Sequence, residues 1–141
     1  MENSEYIGLF LTEEDKAKLK EWLWLNGYDF NNDIIKGTLP ENWYLDHCTL
    51  LHWSQKDYYT EKEILESNSG KMCAITIDGI GISDKAMAFR IDKELMGIPC
   101  ANNIPHITIC TFNGGKPVDS NDITEWKNIE PILVETKLKK V

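Results

Sequence analysis

The chain has 141 residues, of which 42% are hydrophobic and 27% are charged, and its formal net charge is −8 at pH 7. This length and composition predict one globular domain over residues 1–141, large enough to bury a core. The negative charge argues against a protein that holds long nucleic acid through many phosphate contacts, and no apolar run approaches the roughly 20 residues of a membrane-spanning helix.

The first predicted elements are a strand and a helix. Residues 6–12, YIGLFLT, have a strand composition, and the acidic residues before them lack the charge order of a signal peptide. Thr12 is a suitable N-cap for the segment TEEDKAKLKEWLWLNG, which has acidic residues in its first turn and Gly27 after its end. Trp22 and Trp24 cannot share one helix face, so one of them is expected to be partly exposed.

The rest of the chain is predicted to be rich in strands. After an irregular segment, 27–42, strands are expected at YLDHCTLLHW and NIPHITICTF. Between them lie a short helix from about Thr60 to Ser67 and two strands joined by a turn near residues 83–85. The turn cluster NGGKPVDSN, a helical turn around Trp126 and a final strand, PILVETKLKK, complete the chain. This mixture indicates an α+β fold.

The four cysteines are too few and too scattered for a disulfide framework, and no pair has the Cys-x-x-Cys spacing of a structural zinc site. Cys48 and Cys110 lie in apolar, strand-like segments, where free cysteine usually serves as a small buried hydrophobe. The expected location is therefore the reducing cytoplasm, or the host cytoplasm for a viral protein.

Two of the three histidines stand in the same pattern, His-x-Thr-aliphatic, 59 positions apart (106 − 47). Side chains alternate between the two faces of a strand. The first stretch therefore places His47 and Thr49 on one face, and the second places His106 and Thr108 on one face. The aliphatic spacers of both stretches are expected to enter the core.

The same alternation assigns the flanking residues. Leu51 falls on the face of His47, and Cys110 falls on the face of His106. His52 falls on the opposite face, and we therefore predict a structural role for it.

Two facing His–Thr pairs suit chemistry at phosphorus. Histidine titrates near neutrality, so one neutral and one protonated ring can act as general base and general acid. Threonine hydroxyls beside them can donate hydrogen bonds to phosphate oxygens whose charge builds in the transition state. No carboxylate cluster or metal-ligand spacing accompanies the histidines, so no metal or other cofactor is expected. Which histidine is the base and which is the acid stays open.

This pair of motifs in a small α+β chain resembles the 2H phosphoesterase superfamily. The resemblance implies a two-lobed, pseudo-symmetric antiparallel sheet with helices on the outside and the motifs facing each other across a central cleft. It also implies that His47 and His106 are the acid–base pair and that Thr49 and Thr108 are the phosphate donors.

Two branches of that superfamily are the most similar. HCTLLH is similar to the motif of the cyclic phosphodiesterase domain of fungal-type tRNA ligases, which opens RNA 2′,3′-cyclic phosphates. The early strand YIGLF and the Pro-His-Ile-Thr motif are similar to those of phage anti-CBASS nucleases, which cut cyclic oligonucleotide signals through ribose 2′-hydroxyl attack. An acidic chain expected to stand alone, with aromatic residues near its strands, favours the second branch. The predicted function is therefore cleavage of 3′–5′ linkages in cyclic oligonucleotides, and RNA 2′,3′-cyclic phosphodiesterase is the alternative.

Further expectations concern the substrate. Tyr6 is predicted to stack on a nucleobase, and Glu135 to accept a hydrogen bond from a base amino group. The expected substrate is a small cyclic nucleotide or an RNA end, with no membrane partner, whereas base preference, linkage and oligomeric state stay open. The basic end, residues 137–141, is expected to be a solvated tail or strand end. A non-catalytic nucleotide sponge and a structural interaction domain are weaker alternatives, because neither needs two proton-transfer groups.

Overall fold

The computed structural model describes residues 6–27, 42–52, 68, 70–95, 98, 100, 102 and 104–140. The strands in these ranges are β1 (Tyr6–Leu11), β2 (Asn42–Trp43), β3 (His47–His52), β4 (Met72–Ile82), β5 (Ala86–Ile91), β6 (His106–Thr111) and β7 (Trp126–Lys140). Helix α1 spans Glu13–Leu25, and two 3-10 helices span Lys93–Leu95 and Pro117–Asp122. The helix predicted near residues 60–67 and most of the irregular segment 27–42 lie outside the described residues.

The seven strands of the described residues belong to one antiparallel sheet in the order β2-β6-β3-β1-β7-β4-β5. Because β5 also pairs with β6, six of the strands close into a barrel, and β2 adds to the side of β6. The predicted α+β class fits in part, since the sheet dominates the described residues and α1 is their one α-helix. The predicted two-lobed arrangement with a central cleft is not confirmed by this barrel.

The hydrophobic core lies on the inner face of the barrel. Strand β7 shows the pattern most clearly, because residues 132, 134, 136 and 138 are buried and the residues between them are exposed. Its aliphatic side chains form one cluster with Leu9, Ile77 and Phe89 from three other strands. Since side chains alternate along a strand, the outer face of the same strands is available for a functional site.

Helix α1 begins where the sequence predicts. The Thr12 hydroxyl accepts a hydrogen bond from the backbone N–H of Asp15 at 3.2 Å, and three acidic residues occupy the first turn. No helix within the described ranges is both long enough and apolar enough to cross a membrane.

The apolar face of α1 packs on the core. Leu19 and Leu23 are fully buried within the core cluster. Trp22 packs edge-on against Phe89 with 5.6 Å between ring centroids, whereas Trp24 is exposed. The expectation that only one of the two tryptophans is well packed is therefore confirmed.

The turn cluster NGGKPVDSN folds further than the sequence predicted. It includes a 3-10 helix, Pro117–Asp122, with proline in its first turn. The backbone N–H of Lys116 donates a hydrogen bond to the Asp119 carboxylate at 2.7 Å, which closes the start of this helix. The helix lies beside β5 and β6.

Strand β7 is longer than predicted. Trp126 does not lie in a helical turn but begins the strand, opposite Gly81 on β4. Proline lacks an N–H, and the strand passes through Pro131 where the ladder with β4 is interrupted between Asn128 and Ile132. Because the pairing is irregular at this point, the ladder does not require a hydrogen bond from the backbone nitrogen of Pro131.

Candidate active site

The two motif strands are built into the sheet in the same way. Residues 8–10 of β1 stand opposite residues 47–49 of β3, and residues 88–90 of β5 stand opposite residues 106–108 of β6. In both pairs the partner strand meets its motif in the same register. The backbone therefore contains one strand pair twice, a duplication that the sequence revealed only through the motifs.

Each motif strand carries one extra residue directly after its threonine. The ladder with β1 passes from Thr49 to Leu51, and the ladder with β5 passes from Thr108 to Cys110. Such β-bulges are frequent beside active sites, and they shift the alternation by one residue. The prediction that Leu51 and Cys110 share a face with the motif histidines is therefore wrong, because both are buried in the core.

The two motif strands are direct neighbours. They run antiparallel, with Cys48 opposite Ile107, and both of these side chains are fully buried. The residues flanking them must then project to the outer face, and each motif threonine lies opposite the histidine of the other strand. The structure thus brings the four predicted catalytic residues together, all half-buried on one surface: His47, Thr49, His106 and Thr108.

His47 is held by two aromatic rings and a carboxylate. Its ring packs against Tyr6 and Phe10, with ring centroids 4.9 and 5.0 Å away. Its Nδ1 lies 3.2 Å from the carboxylate of Asp46, which also pairs with Lys16 at 3.0 Å. Because a carboxylate only accepts, Nδ1 carries a proton and Nε2 is left for proton transfer.

His106 has a different environment. Its Nδ1 lies 2.9 Å from the backbone carbonyl of Ile104, which again leaves Nε2 for proton transfer. Its cross-strand neighbour is Arg90, which donates hydrogen bonds to Asp78 at 2.8 Å and to Asn128 at 2.6 Å. The duplicated backbone therefore carries two non-equivalent histidines.

Burial and neighbouring groups change the pKa values at this site. Burial lowers the pKa of His47 below its ordinary value, against the opposing effect of Asp46. Burial also lowers the pKa of His106, the hydrogen bond to Ile104 opposes this, and the charge of His47 lowers it further. Burial disfavours ionised Asp46, but hydrogen bonds from Lys16 and His47 outweigh that effect and lower its pKa. Because the rings affect each other, a state with one protonated histidine is favoured over one with two.

The two motif threonines differ in their contacts. The Thr108 hydroxyl lies 2.9 Å from the Ser120 hydroxyl and 3.5 Å from the Pro117 carbonyl, both in the second 3-10 helix. The Thr49 hydroxyl has no hydrogen-bond partner in the described part of the chain, and its carbonyl accepts from the Asn102 side chain at 3.3 Å. Ser120 was missed by the sequence analysis, and no sequence signal connects it to the motif.

The two predicted substrate-binding residues lie at different distances from the motifs. Tyr6 is beside the site, but its ring stacks on His47. Glu135 is exposed on β7, two strands away from His47. His52 stands opposite Tyr6 in backbone register, and its side chain lies outside the described part of the protein, so its structural role stays a prediction.

Two neighbours of His47 were also missed. Consecutive residues of a strand face opposite sides, so alternation gave no reason to pair Asp46 with His47. Asp46 precedes the strand and follows Leu45, whose positive φ of 54° turns the chain. The adjacency of Asp and His in the sequence was the available signal, whereas Phe10 meets His47 only through the register of β1 and β3.

The remaining candidate ligands are dispersed. Within the described ranges, no three or more His, Cys, Asp or Glu side chains form a group that could hold a metal ion. None of the four cysteines, all within the described residues, forms a disulfide, and Cys48 and Cys110 are fully buried, as predicted.

Comparison with known proteins adds a family relationship. The family model of the fungal tRNA ligase phosphodiesterase domain matches residues 41–139, which include both motif strands. No curated protein matches the chain. The match supports the branch that the sequence analysis gave as its alternative, and it does not support a closer relationship to the anti-CBASS nucleases.

Proposed function

Because this chain belongs to the family of the fungal tRNA ligase phosphodiesterase domain, we propose that it hydrolyses the 2′,3′-cyclic phosphate of an RNA end. One structural observation carries the proposal: the two His-x-Thr motifs lie on adjacent antiparallel strands, each threonine opposite the other histidine. This arrangement offers two proton-transfer groups and two hydroxyl donors to one phosphate.

In the proposed reaction, one histidine removes a proton from water while the water oxygen attacks phosphorus. One P–O bond to the ribose breaks, and the other histidine protonates the leaving ribose oxygen. The product is a phosphomonoester with a free neighbouring hydroxyl, and both histidines return to their starting state after proton exchange with solvent. The hydroxyls of Thr49 and Thr108 stabilise the charge on the non-bridging oxygens.

The surroundings of the two rings support a division of roles. The Asp46 carboxylate favours the protonated form of His47, which suits a general acid. His106 has only a backbone carbonyl at Nδ1, and the charge of His47 disfavours its protonation, which suits a general base. The proposal therefore assigns the acid role to His47 and the base role to His106.

The cyclic-oligonucleotide substrate stays a prediction. The same histidines would cut such a linkage if the ribose 2′-hydroxyl replaced water as the nucleophile. The family match gives no support to this choice.

One chromatographic assay in EDTA tests the proposal. It compares a short RNA ending in a 2′,3′-cyclic phosphate with a panel of cyclic di- and trinucleotides. The wild-type protein is expected to open the terminal cyclic phosphate, and His47→Ala and His106→Ala are each expected to lose roughly 100-fold or more of that activity. Lys127→Ala, an exposed position at the far end of β7, is the control.

Three results would contradict parts of the proposal. Full activity in either folded histidine variant would refute the assignment of His47 and His106 as the acid–base pair. Loss of activity in EDTA that is restored by a divalent ion would refute the metal-free mechanism. Cleavage of cyclic oligonucleotides without turnover of the RNA end would establish the other substrate class.

A further inference from the structure

A row of side chains leads from the candidate active site across the outer face of the barrel. His47 stands opposite Phe10 on β1, and Phe10 stands opposite Lys137 on β7. Met72 on β4 stands opposite Lys137 and is exposed. Since adjacent strands are about 4.8 Å apart, the backbones of His47 and Lys137 are separated by roughly 10 Å.

Lys139 occupies the next row on the same face. It stands opposite Gly8, which in turn stands opposite Thr49. Its ammonium group lies 5.4 Å from the centroid of Phe10, the ring that packs against His47. The side chain of Lys139 therefore already reaches from β7 toward the active site.

These two lysines differ from the cations that adjoin the motifs. Both are exposed, and neither forms a salt bridge within the described part of the chain. Lys16 is neutralised by Asp46 at 3.0 Å, and Arg90 is neutralised by Asp78 at 2.8 Å. The exposed carboxylate of Glu135 borders the lysines on the side away from Gly8. A protein with a net charge of −8 thus presents two cations without a salt bridge among the described residues, on the strand that borders β1, the partner of motif strand β3.

We propose that Lys137, Lys139 and Met72 form a track that binds the single-stranded RNA preceding the terminal cyclic phosphate. This inference rests on the proposed function and narrows its substrate to an oligonucleotide instead of a free nucleotide. The lysines bind upstream phosphates, and the exposed side chain of Met72 offers an apolar contact to an unstacked base. Residues 137–140 of the basic end lie in strand β7, which agrees with the predicted strand end, and the proposal gives two of them a binding role.

The track is tested by the length of the substrate. The ratio of kcat/KM for a short RNA ending in a 2′,3′-cyclic phosphate to kcat/KM for the corresponding nucleoside 2′,3′-cyclic phosphate is expected to exceed about tenfold for the wild type. Each lysine–phosphate contact with a single strand contributes about 0.7 to the slope of log affinity against log salt concentration. Two contacts predict that a fourfold rise in salt lowers the ratio by roughly sevenfold.

Lys137→Gln/Lys139→Gln is expected to bring the ratio close to one and to reduce its salt slope by about 1.4. The control, Lys20→Gln/Lys127→Gln, removes the same charge from exposed positions outside the track and is expected to keep the wild-type ratio.

The outcomes separate the two proposals. A wild-type ratio near one, with both substrates turned over, would overturn the track and leave the proposed function standing. An equal fall of the ratio in the control variant would overturn the track in favour of a general charge effect. Absence of turnover on both substrates would refute the proposed function and the track together.

Discussion

The two motif histidines differ at the level of single residues because different groups face their Nδ1 atoms. A carboxylate fixes the tautomer of His47 and also stabilises its protonated form. A backbone carbonyl fixes the tautomer of His106 without adding a charge. The faces of Tyr6 and Phe10 add to this difference, because aromatic faces attract cations.

Asp46→Asn preserves the shape of the side chain and removes its charge. Because Asp46 opposes the lowering of the His47 pKa, the variant lowers that pKa further. With His47 as the acid, the alkaline limb of kcat/KM against pH moves to lower pH. Activity at pH 7 is expected to fall about tenfold, since replacing a charged hydrogen bond with a neutral one weakens it by about 1.4 kcal/mol.

The control for Asp46→Asn is Glu13→Gln, which also removes one carboxylate that pairs with Lys16. Glu13 is exposed and does not contact His47, so its variant is expected to keep the wild-type pH profile. If the Asp46 variant had the same profile as the wild type, its role in positioning His47 would be refuted.

At the level of elements, the site exists because one strand pair occurs twice. Both copies place a β-bulge after the motif threonine, which turns the next residue into the core and leaves the motif on the outer face. The copies differ in side chains, since Phe10 stands opposite one histidine and Arg90 opposite the other. The same backbone therefore supports two different proton-transfer groups.

Strand β6 joins the two copies and pairs with three other strands. Its last residue, Thr111, stands opposite Asn42 on β2 and Ala86 on β5. Thr111 is fully buried, and its hydroxyl has no hydrogen-bond partner among the described residues. A buried polar group without a partner costs about 1–3 kcal/mol.

Thr111→Val keeps the shape of the side chain and removes this hydroxyl. We expect the free energy of unfolding, measured by urea denaturation, to rise by about 1 kcal/mol. The matched control is Thr136→Val, because that buried hydroxyl donates to the Cys73 carbonyl at 2.7 Å. The control is expected to lose about 1 kcal/mol. A similar loss in both variants would mean that the Thr111 hydroxyl has a partner.

At the level of the whole molecule, the protein keeps two histidines with lowered pKa values inside an acidic chain with a pI of about 4.8. Below the ordinary histidine pKa of 6.5, the unfolded chain binds protons that the folded chain does not. The free energy of unfolding therefore falls as the pH decreases through this range.

His47→Gln/His106→Gln is expected to weaken this pH dependence. Urea unfolding of the variant and of the wild type between pH 7.5 and pH 5 measures it, above the range where most carboxylates titrate. As the pH falls below 6.5, the free energy of unfolding of the wild type should decrease more steeply than that of the variant. Parallel curves would contradict the lowered pKa values.

The start of helix α1 and the strand conformation of both motifs follow from the order of neighbouring residues in the sequence. The N-cap at Thr12 depends on residues within one turn, and the strand character of each motif depends on its own six residues. The pairing of histidine with threonine two positions later needs only the alternation of a strand. These features were therefore predictable from the order of residues.

The remaining features of the site depend on the register between strands that are distant in the sequence. The bulges that bury Leu51 and Cys110, the contact of Phe10 with His47, and the position of Lys139 all depend on which residues face each other across the sheet. The alternation within one strand is the same for every register, so it cannot select among them. In the folded protein six strands close around one core, and the observed pairings bury their aliphatic side chains together.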